Sequence, residues 1–275
     1  MKKRALIVEG GGMRGAHSCG VMMALAESGL TSFDVVAATS AGACTAAFLV
    51  SGQPQLLPII WTEYLHGHTF INFKNVLRKK SIMDLDYLID DVFCIRQPLD
   101  IGSLQRSATD FYITATHCES GKATYFHNRR DPILKALKAS SAIPIAYRQP
   151  VIIDNQPYLD GGLSDPIPIQ KAIEAGCEEI YVVLTRPEGY RKKVSVMNLL
   201  PRFFEKKYPR LSETMLHRHE TYNRIAENLE KGHYPGRIHI IRPSQKLPIS
   251  RLTTKLESIK AAVAMGYQDG LRMGV

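Results

Sequence analysis

The chain has 275 residues, of which 45% are hydrophobic, with 35 Lys and Arg against 26 Asp and Glu; this supports one large globular core and excludes a disordered or fibrous chain. Five cysteines (Cys19, Cys44, Cys94, Cys118 and Cys177) show no C-x-x-C spacing, so neither a disulfide framework nor a zinc site is expected, and a cytoplasmic, reducing setting fits. Behind Lys2-Lys3-Arg4 the apolar stretch runs only from Ala5 to Val8, too short for a signal peptide, and no run approaches the ~18 apolar residues of a membrane span.

The positive excess is local. Between Arg186 and Lys260 there are 17 Lys and Arg against 7 Asp and Glu, while the remainder is close to neutral. This divides the chain into a core, residues 1–185, and a basic C-terminal extension, residues 186–275, packed on the same domain.

Arg4 to Glu9 reads as a short buried strand. Gly10-Gly11-Gly12-Met13-Arg14-Gly15 follows it, and a helix carries Cys19, Met22, Met23 and Ala26 on one face before Gly29 stops it. A glycine-rich turn between strand and helix presents backbone N–H groups to an anion. Read as Gly10-x-Gly12-x-x-Gly15, it is also a dinucleotide fingerprint, and a nucleotide-binding oxidoreductase is the rival reading. That reading needs an acidic residue at the far end of the second strand. Asp34 stands at nearly the right spacing but at the near end.

Val35 to Thr39 reads as the second buried strand, and Ala41 to Val50 as a small-residue helix, which leaves Ser40 on the turn between them. This is the geometry of a nucleophile elbow, with Ala38 in place of the first glycine of G-x-S-x-G. In a parallel sheet the loops after successive strands gather at one edge, so the glycine loop and Ser40 are expected side by side. Amides next to a serine hydroxyl suit acyl transfer, because they stabilise the oxyanion formed when the serine attacks a carbonyl.

Pro54 to Leu65 reads as a helix whose Trp61 packs in the core, and Ser81 to Phe93 as another. Phe111–His117 and Ala123–Phe126 alternate like paired strands. Asp131-Pro132 reads as N-cap and first position of a helix running into Ala139-Ser140-Ser141-Ala142-Ile143-Pro144, whose small residues let a helix end pack close to a site. Val151–Asp154, a turn at 155–157, and Tyr158-Leu159-Asp160-Gly161-Gly162 form a hairpin ending in a carboxylate that can reach a hydroxyl. Pro166 and Pro168 open a helix that Gly176 ends, and Glu179–Thr185 is a further buried strand.

Beyond it, Met197 to Tyr208 mixes apolar and aromatic residues with Lys and Arg, the composition of a lid or of a surface meeting anionic lipid. Tyr222, Ile225, Ala226 and Leu229 form one apolar stripe on a charged helix. Ile238–Ile241 is a strand, and Leu252, Leu256, Ile259 and Val263 line a final helix. No cluster of His, Cys, Asp or Glu has metal-ligand spacing, so neither metal nor cofactor is expected.

The glycine turn at Gly10–Gly15, the Ser40 elbow and Asp160-Gly161-Gly162, in this order and spacing, resemble the patatin-like phospholipases, a family of bacterial lipid acyl hydrolases. Ala139–Pro144 and the prolines after Asp160 share the resemblance, which covers roughly residues 4 to 185. It implies a three-layer α/β/α sandwich with a mainly parallel central sheet and a Ser-Asp dyad without the histidine of a triad. On matching positions Ser40 is the nucleophile, Asp160 its partner, and Gly10, Gly11, Gly12 and Met13 the oxyanion loop; Ala38 departs from the family pattern. The expected function is therefore serine phospholipase or esterase activity on a phospholipid or other acyl ester, with peripheral contact to anionic membrane through the basic extension and no nucleic acid. A non-catalytic basic module that binds RNA or membrane is the alternative from a different class.

Overall fold

The computed structural model describes residues 2–194 and 204–273. Eight strands form one sheet: β1 (Arg4–Val8), β2 (Val35–Thr39), β3 (Asp110–His117), β4 (Ala123–His127), β5 (Val151–Ile153), β6 (Gln156–Asp160), β7 (Glu179–Val183) and β8 (Arg237–Ile241). The order is β5-β6-β3-β2-β1-β7-β8, with β4 also on β3. Strands β3, β2, β1, β7 and β8 run parallel, whereas β4, β5 and β6 are antiparallel additions.

The central strands are apolar on both faces because both are covered. In β1, Leu6 and Val8 enter one core, which also holds α1 (Gly15–Glu27), α2 (Ala41–Val50) and α3 (Ile133–Ser141). Ala5 and Ile7 point into the other core with Tyr222, Ala226 and Leu229 of α4 (Pro209–Glu230). Helices on both faces make the three-layer sandwich expected from the sequence. A last helix, α5 (Leu256–Leu271), lies against α1 so closely that a Cβ on Gly20 would stand 1.9 Å from Val263 O, and one on Gly266 would stand 1.9 Å from His17 O. Backbone-to-backbone contact of this kind ties the C-terminal region to the first helix of the core.

Several expected boundaries shift, each for a local reason. The Pro54–Leu65 helix divides into a 3₁₀ turn, a short α segment and a π-helical turn, Ile60–Tyr64. The helix expected from Ser81 begins later, since Met83 pairs with Ile71 in a β-bridge and the Asp84 carboxylate accepts the Tyr87 N–H at 2.9 Å. Asp131 does not cap α3: its carboxylate accepts the His127 N–H, and Pro132 takes the N-cap position. The hairpin turn is Asp154-Asn155, both with positive φ (49° and 61°), so Pro157 belongs to β6 rather than to the turn. Leu252 lies in the loop before α5, not on it. Most of the Met197–Tyr208 stretch falls outside the described residues.

Among the described residues, no helix is long and apolar enough to cross a membrane.

Candidate active site

β2 ends at Thr39, and the chain turns through Ser40 into α2. Ser40 holds φ 56° and ψ −131°, a backbone state costly for a residue with a Cβ and typical of positions where surrounding structure imposes a functional geometry. Ala38, at the substituted position of the elbow, is fully buried in β2. The second glycine is retained, since a Cβ on Gly42 would lie 2.6 Å from Glu9 O.

The strained turn is held from two sides. Ser40 N–H donates to Ser140 Oγ at 2.7 Å, and Ser140 Oγ–H donates onward to Thr114 O at 2.6 Å. This gives Ser140 of the Ala139–Pro144 segment a defined task that sequence reading missed, because two adjacent serines give no sign of which one faces the elbow. Ser40 Oγ–H donates to Asp160 Oδ2 at 2.7 Å. The other carboxylate oxygen, Oδ1, accepts Gly162 N–H at 2.8 Å, so both oxygens of Asp160 are engaged and the side chain is fixed.

Asp160 is 6% exposed and Ser40 4%. Burial raises the Asp160 pKa above the ordinary carboxylate range; the Ser40 hydroxyl, the Gly162 amide, Arg218 and Arg251 act in the opposite direction but do not cancel it. A carboxylate so raised is a better proton acceptor than a free aspartate.

The glycine loop lies beside the hydroxyl, as expected from the parallel order of β1 and β2: a Cβ on Gly10 would stand 2.9 Å from Ser40 Cβ. The four loop amides differ in availability. Gly10 N–H points to Pro166 O at 3.4 Å, and Met13 N–H donates to Arg251 O at 3.0 Å. Among the described residues, the amides of Gly11 and Gly12 have no partner. Gly12 has φ +56°, and a Cβ there would meet Arg251 O at 2.7 Å, so the Arg251 carbonyl can seat against the loop only because this residue is glycine.

Two cavities meet at the serine. One is apolar, lined by Phe48, Ile60, Trp61, Phe70, Leu88 and Phe93 among others, and Ser40 and Gly12 stand at its polar end. Trp61 is buried as expected, and its ring also forms part of this wall. The other cavity contains Ser40, Asp160 and the three loop glycines together with Lys192, Arg218 and Arg251. These three cations come from distant parts of the C-terminal third; the local charge excess marks the region, but nothing in the sequence shows that they converge.

His17, the histidine nearest the loop in sequence, is fully buried and pairs with Asp269 of α5 at 3.1 Å. Among the described residues, no histidine bonds to Ser40 or Asp160. Asp34 accepts the Arg4 N–H at 2.7 Å at the start of β2, the sheet edge opposite Ser40. The carboxylate that a dinucleotide ribose requires is therefore at the wrong end of the strand.

A mixed α/β sandwich with a serine elbow and a glycine loop at the carboxyl edge of its sheet points to a hydrolase class. The chain belongs to the patatin-like phospholipase family, a class of lipid hydrolases, whose sequence profile it matches over residues 6–173. Residues 208–273 match a domain of unknown function, DUF6363. YjjU, an uncharacterised protein of Escherichia coli K12, is 28% identical over 279 residues, covering 97% of this chain and 75% of its own length. An uncharacterised NTE family protein of Mycobacterium bovis is 30% identical over 174 residues, which is 60% of this chain and 44% of that protein. The fold is similar to that of VipD from Legionella pneumophila, with a TM-score of 0.53 at 14% identity over 99% of this chain and 66% of the other.

Proposed function

We propose that the protein is a serine lipid acyl hydrolase in which Ser40 is the nucleophile, Asp160 its proton acceptor and the glycine loop the oxyanion site. The observation that carries this reading is the 2.7 Å hydrogen bond from Ser40 Oγ to Asp160 Oδ2 beside the Gly11 and Gly12 amides, which have no partner among the described residues.

The reaction proceeds in two halves. As Ser40 Oγ bonds to the ester carbonyl carbon, its proton passes to Asp160 Oδ2, and the negative charge on the carbonyl oxygen is met by the loop amides. Because the Met13 N–H is already held by Arg251 O, the donors we assign are Gly11 and Gly12, a narrower set than the expected Gly10–Met13. Collapse breaks the ester C–O bond, and the leaving alcohol takes the proton from Asp160. Water then attacks the acyl-serine, gives its proton to Asp160, and the fatty acid leaves as Ser40 regains a proton. The apolar cavity accommodates the acyl chain.

In this reading residues 1–185 are the catalytic core and residues 186–275 a basic extension that meets anionic substrate or membrane. The five free cysteines fit a reducing, cytoplasmic setting.

The test is labelling by a fluorophosphonate serine probe together with release of fatty acid from a phospholipid. Wild type labels and turns over, Ser40→Ala does neither, and Asp160→Asn is slowed in both. Labelling that persists in Ser40→Ala overturns the assignment of the nucleophile.

A further inference from the structure

Lys192, Arg218 and Arg251 line the cavity that holds Ser40, and Arg218 and Arg14 are the buried Lys and Arg side chains among the described residues. Elsewhere Arg191 and Arg242 share Glu230 at 2.7 and 3.2 Å, and Lys138 is held by Asp86 and Asp90 at 2.6 and 2.9 Å. No carboxylate oxygen among the described residues lies within ion-pair distance of Lys192, Arg218, Arg251 or the neighbouring Arg14. Arg218 and Arg14 are only 6% and 3% exposed. Among the described residues, Arg218 has a single weak hydrogen bond, to Gly162 O at 3.5 Å, and its buried Nε has no partner. Lys192 Nζ lies 4.2 Å from the Tyr222 ring centroid, a contact that positions an ammonium group without neutralising it.

Burying several cations together is unfavourable unless an anion completes the set. Burial and the proximity of Arg251 lower the Arg218 pKa to about 10. Burial, Arg251 and Arg186 lower that of Arg14 to about 9. Two carboxylates are close enough to be felt. Glu9 already accepts the Thr185 N–H at 2.6 Å, and Asp160 is held by Ser40 and Gly162. A further cavity shares these three cations with the one that contains Ser40 and adds Arg14, Arg186, Lys193 and Lys246, with no acidic side chain among the described residues that line it.

We propose that Lys192, Arg218 and Arg251, with Arg14 behind them, form a phosphate subsite for the alcohol half of the ester. The substrate is then an acyl ester bearing a phosphate on its leaving group. This rests on the hydrolase reading above and adds to it the chemistry of the head group. Ser40 and Gly12 line both the apolar and the cationic cavity, so a bound ester lies across the serine with its chain on one side and its phosphate on the other. Guanidinium groups are suited to phosphate oxygens through paired N–H donors. Arg218 and Arg251 belong to the stretch that matches DUF6363, so in this proposal that region supplies the head-group specificity of a core that by itself handles only the acyl chain.

The experiment compares lysophosphatidic acid with a monoacylglycerol of the same chain, below their micellar concentrations. Wild type is expected to favour the phosphate-bearing ester in kcat/KM by about tenfold or more, the loss expected when a charge-assisted contact is missing. That ratio falls towards one in Arg251→Gln and in Lys192→Met, two partly exposed positions chosen because Arg218→Gln tests folding as well. Equal rates on both esters, or a ratio unchanged in the variants, overturn the subsite while leaving the hydrolase reading intact.

Calorimetry on the Ser40→Ala protein with inorganic phosphate and with glycerol phosphate gives a readout independent of turnover. Glycerol phosphate binding that weakens in the same variants supports the subsite even if no ester is cleaved. Inorganic phosphate bound as tightly as glycerol phosphate, with no preference for the phosphate-bearing ester, assigns the cluster to free anion and overturns it.

Discussion

Thr39 and Asp160 occupy consecutive positions along one edge of β3. Thr39 pairs with Thr114 and Asp160 with Ala115, while β4 takes the opposite edge of the same two residues. Strand β2 therefore runs up the edge and stops, and β6 comes down to meet it head-on. The residue after Thr39 is Ser40, and Asp160 is the last residue of β6. Two side chains 120 positions apart in sequence are brought together by the register of a third strand.

The junction depends on Gly161. A Cβ at this position would stand 2.2 Å from Thr114 O and 3.1 Å from Thr39 Cγ2, and backbone cannot yield as a flexible side chain can. Gly161→Ala is expected to destabilise the fold by about 1–3 kcal/mol. By pushing β6 off β3 it also moves Asp160 away from Ser40, so turnover falls by more than the loss of folded protein explains. A thermal melt and an esterase assay on the same preparation separate the two effects. Unchanged turnover in the folded fraction would mean that the register does not position the carboxylate.

Ser140 offers a second test. Its hydroxyl links the Ser40 amide to the Thr114 carbonyl, so Ser140→Ala leaves a buried donor and a buried acceptor unpaired. The expected cost is about 1–3 kcal/mol. Because the strained turn at Ser40 loses a restraint, kcat should drop while KM stays within a small factor. A rise in KM alone would place Ser140 in substrate binding instead.

Much of this could be read from the sequence, and the remainder has identifiable physical causes. The apolar run that ends at Ser40 marks a strand end, because a buried parallel strand leaves no polar alternation to mistake, and Asp160 is legible as the end of a hairpin strand by the two glycines that follow it. Boundaries set by a distant partner were not legible. Leu252 fits the period of the last helix, yet the chain there makes a separate turn in which the Arg251 carbonyl meets Met13 N–H. Asp131 reads as a cap, but its carboxylate turns back to the His127 amide. Ser140 and Ser141 are equivalent as letters until α3 packs on β3. The basic C-terminal third is visible as charge, but the meeting of Lys192, Arg218 and Arg251 at the serine exists only after folding.

The apolar cavity makes a prediction about chain length. Phe48 and Phe93 stand edge to face, with centroids 5.0 Å apart, and both line the wall. Phe93→Ala removes one ring and is expected to cost about 3–5 kcal/mol of stability. The added space should shift the preferred substrate towards longer acyl chains in a p-nitrophenyl ester series. An unchanged chain-length profile in the folded variant would place the acyl group elsewhere.

The raised pKa of Asp160 predicts opposite effects on stability and activity. Burial raises it above the ordinary carboxylate value, so between these two pH values the folded state binds more protons than the unfolded state. Stability contributed by this group is complete below the ordinary value and is lost as pH rises through the folded one. Asp160→Asn cannot ionise. Its side-chain oxygen can still accept the Gly162 N–H, and its NH₂ can donate to Ser40 Oγ, so the geometry is kept while the buried charge is removed. The variant should therefore gain melting temperature over wild type as pH rises to neutrality, with a smaller difference in acid. In the proposed mechanism catalysis responds in the opposite sense, because only the ionised carboxylate accepts the Ser40 proton. In wild type, kcat should rise with pH along a limb centred above the ordinary carboxylate range, and Asp160→Asn should lose on the order of a hundredfold or more. Melting curves and pH–rate profiles on the two proteins test both halves, and a variant less stable than wild type at every pH would mean that the charge on Asp160 stabilises the fold.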